Sequence, residues 1–334
     1  MNDYAKEPNI ELDKSNDLAS GIEALTTKKG ITENYFQAVK NLVKDSEKSW
    51  NTDQLIYRLS DKITEIMQHT IKTYPVGNTF EELNHKDYNL IREGLITIGA
   101  EPSAGKTSLL TALSIDILQH NPDTALLFYS MDDSFYLSGK RILSQLSGKN
   151  LFYTDPQDFP PISEESWGIL SRMVIKESLN IATLEREAEK VKELCGCTQI
   201  IIGIDYLQII TNIRETVQRE FLNTVVKELK EIQKRQKCIV FLLSQLNRDT
   251  KSTGFRYRET SEIENQSDVC LDIIQGNDKE TPDRTIKVSK NKLGLKGRSW
   301  NTRITAALNY TKLISWEETS GDYKQNEIQA NDLL

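Results

Sequence analysis

Gly94 to Leu113, GLITIGAEPSAGKTSLLTAL, limits the fold more than any other stretch of the chain. It reads as a buried strand, a tight loop and the opening of a helix. The loop Ala100-Glu101-Pro102-Ser103-Ala104-Gly105-Lys106-Thr107 follows the phosphate-loop pattern, with Ala100 at the position of its first glycine and Gly99 just before it. Each remaining position has a physical task. Gly105 lets the backbone approach an anion, the Lys106 ammonium reaches the β- and γ-phosphates, and the Thr107 hydroxyl can hold Mg²⁺. Successive loop N–H groups and the positive end of the next helix face the same anion. A Gly-Lys-Thr turn can also merely open a helix. The apolar strand before it and the Leu109, Leu110, Leu113, Ile117 face after it favour nucleotide binding.

The rest of the chain is read around that loop. Apolar strand candidates alternate with helical stretches: Leu95–Ile98, Ala125–Tyr129, Ile200–Ile204, Ile239–Leu243, Val269–Ile274, Ile286–Val288 and Ile304–Leu308. Helical patterns follow Lys106 and Tyr136 and occupy Leu184 to Leu194 and Glu220 to Lys234. The alternation predicts an α/β fold with a mostly parallel central sheet flanked by helices. Its 334 residues are expected to divide into a mobile segment (1–30), a helical extension or linker (31–74), the nucleotide-binding domain (75–316) and a polar tail (317–334). In 31–74 the apolar residues recur at helical spacing, as in Leu55, Ile56, Leu59 and Ile63. Two such helices bury little between themselves, so they are expected to dock on the ATPase body or a neighbouring subunit.

Charge and cysteine content narrow the function. A formal net charge of −7 excludes a protein that coats nucleic acid or membrane with its whole surface, so any such contact must be local. Cys195, Cys197, Cys238 and Cys270 lack the spacing of a redox or zinc pair and read as reduced structural residues. The amino terminus has no leader pattern, and no apolar run approaches the ~20 residues that span a bilayer. A soluble cytoplasmic protein with no membrane partner is expected.

In an open α/β sheet, ligands bind outside the carboxyl ends of the strands. The residues there converge. Asp205 closes an apolar run and suits a carboxylate that holds Mg²⁺ opposite Thr107. Asp132 or Asp133 can orient an attacking water; equally, the pair can cap the next helix. Gln245, closing the fourth apolar run, can contact a γ-phosphate. Between Lys251 and Arg258, KSTGFRYR carries Lys251, Arg256 and Arg258 with Phe255 and Tyr257 interleaved and no acid, which suits single-stranded DNA or an ordinary solvated loop. A second basic run, Lys287 to Arg298, holds five cations and no acid, and divides between a neighbour's nucleotide and DNA.

Together the motifs resemble the RecA-like ATPase domain of the DnaB-type hexameric replicative helicases. The matching stretches are AEPSAGKT (Ala100 to Thr107), FYSMDDS (Phe128 to Ser134), IDYLQI (Ile204 to Ile209), LSQLNR (Leu243 to Arg248), IENQSDV (Ile263 to Val269) and IKVSKNK (Ile286 to Lys292). The resemblance covers roughly Thr79 to Trp316, and nothing before Lys72 resembles the family's helical N-terminal domain. It implies ATP and Mg²⁺ as cofactors, held by Ala100, Pro102, Ser103, Ala104, Gly105, Lys106, Thr107, Ser108 and Asp205, with the metal on Thr107 and Asp205. It implies Gln245 as γ-phosphate sensor and puts the catalytic acid on Asp132, one methylene shorter than the family's glutamate. The trans-acting pair falls on Lys290 and Lys292, a lysine replacing the arginine finger. Such a finger is worth ~10³ to 10⁵ in turnover, and a lysine lacks its bidentate fork.

The implied function is an ATP-hydrolysing, ring-forming helicase motor on single-stranded DNA, in replication of a phage or mobile element. The implied partners are a hexameric ring of its own copies and a loader, primase or host replication protein. Two alternatives stand: a regulatory or assembly ATPase that binds a helicase or recombinase without unwinding DNA, and a nucleotide-gated structural module.

Overall fold

The computed structural model describes residues 66–84, 89–205, 215–246, 257, 261–276 and 281–312. The chain divides into two compact units, 1–70 and 71–334. In the first, residues 66–68 are helical. Residues 1–65, with most of the expected helical extension, lie outside the described residues, as does the tail 317–334.

In the second unit, Thr73 pairs with Arg92 and Tyr74 is fully buried, so the chain is already extended there. A 3-10 turn, Asn78–Asn84, leads towards β1 (Gly94–Ala100). The alternating core follows: α1 (Lys106–His120), β2 (Thr124–Ser130), α2 (Phe135–Ser147), α3 (Glu164–Leu170), β3 (Met173–Lys176), α4 (Leu184–Cys195), β4 (Gln199–Asp205), α5 (Glu215–Gln236) and β5 (Ile239–Gln245). The short α6 (Ser261–Gln266) precedes β6 (Val269–Gln275), β7 (Asp283–Asn291), β8 (Ser299–Ile304) and β9 (Tyr310–Lys312). Among the described residues these strands form one sheet of order β3-β2-β4-β5-β1-β6-β7-β8-β9.

The strand β1 is central, parallel to β5 on one side and β6 on the other. Every residue of β1 and β2 is buried, which is why both read as near-continuous apolar runs: helices cover both faces. On one face Leu109, Leu113 and Ile117 of α1 pack with Ile96, Ile98 and Phe128; on the other, Leu184 of α4 and Val226 and Leu229 of α5 pack with Leu95, Leu127 and Val240. Arg172 ties the carboxyl end of α1 to β2, donating to the carbonyls of Leu118, Asn121 and Thr124 at 2.8 to 3.0 Å.

Beyond β6 the sheet changes character. The pairs β6–β7, β7–β8 and β8–β9 are antiparallel. In β7, Arg284, Ile286 and Val288 are buried while the residues between them are half-exposed, the alternation of a one-faced strand. The expected strand Ile304–Leu308 is corrected: the strand is Ser299–Ile304, and residues 305–309 form a turn. Leu308 takes a positive φ of 63°, and the Thr305 hydroxyl and carbonyl bond Asn309 N and Leu308 N. β3 escapes the apolar pattern because its four residues are only half-buried at the edge of the sheet.

Among the described residues, no helix is long and apolar enough to cross a membrane. Cys197, Cys238 and Cys270 are buried, and burial pushes the Cys238 thiol up to about 12 and the Cys270 thiol up to about 11, away from reactive thiolate.

Candidate nucleotide-binding site

The loop between β1 and α1 has the geometry its composition demands. Gly105 adopts φ +102°, and a Cβ there would sit 2.5 Å from Ile304 Cδ1 and 2.7 Å from Tyr310 Oη, so glycine is required twice over. Ser103 also takes a positive φ, 60°. Glycine at 99, rather than at 100, answers a packing demand: a Cβ on Gly99 would meet Tyr257 Cε1 at 2.7 Å. Ala100 ends β1 fully buried, Pro102 and Ser103 are exposed, and Ala104 is buried. The Lys106 ammonium folds over its own loop, donating to the carbonyls of Ala100 at 3.3 Å and Glu101 at 3.1 Å. Ser108 is buried in the first turn of α1, and its carbonyl accepts from the Gln145 amide at 3.0 Å.

Asp205 sits where the sequence puts it, at the carboxyl end of β4. Thr107 Oγ1 donates to Asp205 Oδ2 at 2.6 Å, joining the phosphate loop to the neighbouring strand end. Burial is the main force on this carboxyl, which is pushed up to about 6; the Thr107 hydrogen bond opposes that shift, and the charges of Asp132 and Asp133 add to it. A hydroxyl and a carboxylate oxygen are the hard donors that Mg²⁺ prefers. Among the described residues no cluster of three His, Cys, Asp or Glu side chains could hold a metal by itself. An ion at Thr107 and Asp205 would therefore complete its coordination with phosphate oxygens and water, as Mg²⁺ at nucleotide sites does.

The Asp132–Asp133 alternative is decided in part. The cap of α2 is Ser134, whose Oγ accepts from Leu137 N, so neither acid caps the helix. Asp133 accepts from Arg141 Nη1 at 2.6 Å and is tied to α2, whereas Asp132 is exposed. The amide of Met131, just before Asp132, donates to Asp205 O at 2.8 Å, placing Asp132 beside the Asp205 strand end. Gln245, half-buried, closes β5 in register with Ala100. Lys106, Thr107, Asp205, Asp132 and Gln245 therefore gather at one edge of the sheet.

Lys290 and Lys292 lie at the other edge. Lys290 pairs with Cys270 near the start of β6, while the phosphate loop leaves the end of the parallel strand β1. The register slips between Cys270 and Leu271, leaving Ser289 bulged, and the strand ends at Asn291. A bulge resets the two-residue alternation, so Lys290 leaves the buried face of Ile286 and Val288 and bonds the carbonyls of Glu264 and Asn265 at the end of α6. Lys292 lies 3.2 Å from Asp268 Oδ1, and the buried Lys230 also donates to Asp268.

Lys251, Arg256 and Arg258 lie outside the described residues. Tyr257 between them is corrected from a stacking candidate to an anchor: it is buried, bridges Leu246 and donates its hydroxyl to Asp272 at 3.4 Å.

Sequence reasoning also passes over residues that hold the loop from behind. Tyr310 Oη donates to Gly105 O at 3.1 Å and Arg284 Nε to Ala104 O at 3.1 Å. These contacts join residues some 180 to 205 positions apart, and no local pattern announces them.

The sheet order, the loop after the central strand and the Thr107–Asp205 pair define a RecA-like P-loop nucleotide-binding domain. The chain belongs to the DnaB-like helicase C terminal domain family, whose profile matches residues 76–312. It is 23% identical over 245 residues to the replicative DNA helicase DnaB of Helicobacter pylori, covering 68% of this chain and 49% of that protein. It is 27% identical over 237 residues to a probable plasmid replicative DNA helicase of Chlamydia muridarum, covering 66% of this chain and 50% of that protein. The chain thus spans about half the length of these helicases. A solved structure of a DnaB-like replicative helicase and its interactions with primase superposes with a TM-score of 0.58 at 19% identity, over 88% of this chain and 73% of that one.

Proposed function

We propose that this chain is the ATP-hydrolysing motor domain of a ring-forming replicative helicase that acts on single-stranded DNA, in a phage or other mobile element. The observation that carries the reading is the Thr107–Asp205 hydrogen bond beside Lys106, a metal and phosphate site at the carboxyl edge of a parallel sheet. Mg²⁺, when bound, would neutralise phosphate charge there. Lys106 reaches the β- and γ-phosphates, the loop from Ala100 to Ser108 cradles them, and Gln245 senses the γ-phosphate. Asp132 is the exposed acid beside Asp205 and orients the attacking water; Asp133 is paired with Arg141. The family membership supports a DNA motor, and the name of the Chlamydia relative supports a mobile-element setting.

Lys290 and Lys292 stand at the opposite edge of the sheet from their own phosphate loop, so they serve a neighbouring subunit's nucleotide in a hexameric ring. Lys251, Arg256 and Arg258 supply the single-strand contacts. A loader, primase or host replication protein would join this assembly in the cytoplasm, and 1–30, 31–74, 75–316 and 317–334 remain its proposed segments.

A second reading, a nucleotide-binding assembly ATPase that unwinds nothing, is favoured by one observation: Lys292 is engaged by Asp268 of its own chain. ATP hydrolysis by the full chain separates the two. The motor reading expects turnover per chain that rises with protein concentration and with single-stranded DNA, that is abolished by Lys106→Ala, and that falls more than dilution when Lys106→Ala protein is mixed in. Turnover indifferent to both DNA and concentration sinks the motor reading and leaves the assembly ATPase.

A further inference from the structure

β7 touches the phosphate loop at one end and carries the basic cluster at the other. Arg284, 8% exposed, donates Nε to Ala104 O at 3.1 Å and Nη1 to the carbonyls of Thr281 at 2.6 Å and Asp283 at 2.7 Å. These hydrogen bonds all end on carbonyls, with the half-exposed Asp283 carboxylate near enough to feel the charge, so the guanidinium places buried positive charge directly behind an anion-binding loop. The neighbouring carbonyl, Gly105 O, is held by Tyr310 at 3.1 Å. Two carbonyls of the loop, Ala104 O and Gly105 O, are thereby fixed from the antiparallel ribbon, on the side away from the amides that a phosphate would meet.

Six residues along β7, about 20 Å at strand rise, stand Lys290 and then Lys292. Between the two ends Ile286 and Val288 are fully buried, and the strand is hydrogen-bonded to β6 and β8. Arg284 to Val288, clamped this way, shifts as a piece, because close-packed interiors do not deform continuously, and the pairing of Lys290 with Cys270 and the bond from Lys292 N to Asp268 O tie the lysines to the same β6 edge beyond the Ser289 bulge.

The geometry points to Arg284 as a positioning residue that, through β7, couples a subunit's own phosphate loop to the lysines it offers the next subunit. This deepens the shared-site reading above and rests on it. Phosphate drawn into the loop loads the Ala104 and Gly105 carbonyl contacts; β7 carries that bias to Lys290 and Lys292. By linkage the effect is reciprocal, so lysines engaged by a neighbour tighten the nucleotide held by their own subunit.

The test is equilibrium binding of a fluorescent non-hydrolysable ATP analogue with Mg²⁺ to the full chain, for wild type, Arg284→Met, Arg284→Lys, Tyr310→Phe and Lys290→Ala with Lys292→Ala. Wild type is expected to bind with a Hill coefficient above 1. Arg284→Met should weaken binding about tenfold, the size of a lost charged hydrogen bond, and bring the Hill coefficient to 1. Arg284→Lys should restore part of both. Tyr310→Phe, which removes one hydroxyl and leaves the packing, should weaken binding in the same direction, and the double lysine variant should also bind with a coefficient of 1. Unchanged affinity and cooperativity in Arg284→Met overturn the inference, as does weakened binding with cooperativity intact. Cooperative wild type beside an equally cooperative Arg284→Met defeats this inference alone; non-cooperative wild type that stays monomeric defeats the shared-site reading and this one with it.

Discussion

Thr107 Oγ1 donates a hydrogen bond to Asp205 Oδ2 across 2.6 Å, and that contact joins the first helix of the core to the end of β4, residues 98 positions apart. It places the hydroxyl and the carboxylate side by side. It also exposes what the site costs the fold, since Asp205 is held in surroundings that favour its protonated form.

The first prediction follows from that carboxyl. Its value in the fold is about 6, above the ordinary 3.8, so between those values the native chain keeps a proton that the unfolded chain has lost. Stability from this group is greatest below the window and falls as pH rises through it. Asp205→Asn should remove that slope and raise stability at pH 7, without nucleotide, by on the order of 2 kcal/mol. MgATP should protect wild type above pH 6 and leave the variant unprotected. Thermal melts across pH 4 to 8 with and without MgATP check this, and a variant less stable than wild type at pH 7 without nucleotide refutes it.

Gly105→Ala tests the loop itself. The side chain would meet Ile304 and Tyr310 inside van der Waals distance, at a φ that disfavours it. The cost expected is about 2 kcal/mol or more, with nucleotide binding weakened as the loop shifts. Adding Ile304→Ala should relieve the clash with Ile304 and leave the Tyr310 contact and the φ penalty. Denaturant unfolding of wild type and the two variants decides it; a fully silent Gly105→Ala means the loop is not held by β8 and β9.

A third prediction separates the partners of Asp268. Burial pushes this carboxyl up, but the hydrogen bonds from Lys230 and the Leu95 amide, with the charge of Lys292, outweigh burial and hold it below the ordinary range. Its contribution is present above the unfolded carboxylate value and is lost as pH falls through the lowered one. Asp268→Asn leaves Lys230 buried without its counterion and should cost about 3 kcal/mol. The Lys292 side chain is 42% exposed, so Lys292→Ala should cost at most about 1 kcal/mol while lowering turnover far more than nucleotide affinity. Equal stability losses in the two variants, with turnover intact in Lys292→Ala, would make Lys292 a structural partner only.

The DNA contact is tested by salt. Arg256→Ala with Arg258→Ala should weaken single-stranded DNA binding and reduce the logarithmic salt slope by about 1.4, since each phosphate contact contributes ~0.7. Fluorescence anisotropy over a salt series reads this directly. An unaltered slope places the DNA elsewhere.

The parallel half of the fold and the Thr107 and Asp205 side of the site were written in the chain locally. A strand buried on both faces must be apolar throughout, a loop that approaches an anion needs Gly105, and a strand-ending acid shows as Asp205 after Ile200–Ile204. Such signals span a few residues, so they survive without knowledge of what packs where. The antiparallel edge was legible only as the alternation around Ile286 and Val288, and β3, with four half-buried residues, gave no usable period.

What the tertiary structure alone decided are the contacts between distant residues. Whether Asp132 or Asp133 is paired depended on where Arg141 falls nearly two turns into α2; whether Tyr257 faces solvent or Asp272 depended on how β6 lies beside β1. The aim of Lys290 was set by one bulged residue, Ser289, which has no composition signal because a bulge is a property of two strands in register. Arg284 and Tyr310 reach the phosphate loop only because antiparallel pairing returns the chain to β1 some 180 to 205 residues later. Spacing along a chain fixes which residues share a face of one element; which faces meet is settled by packing among all of them at once.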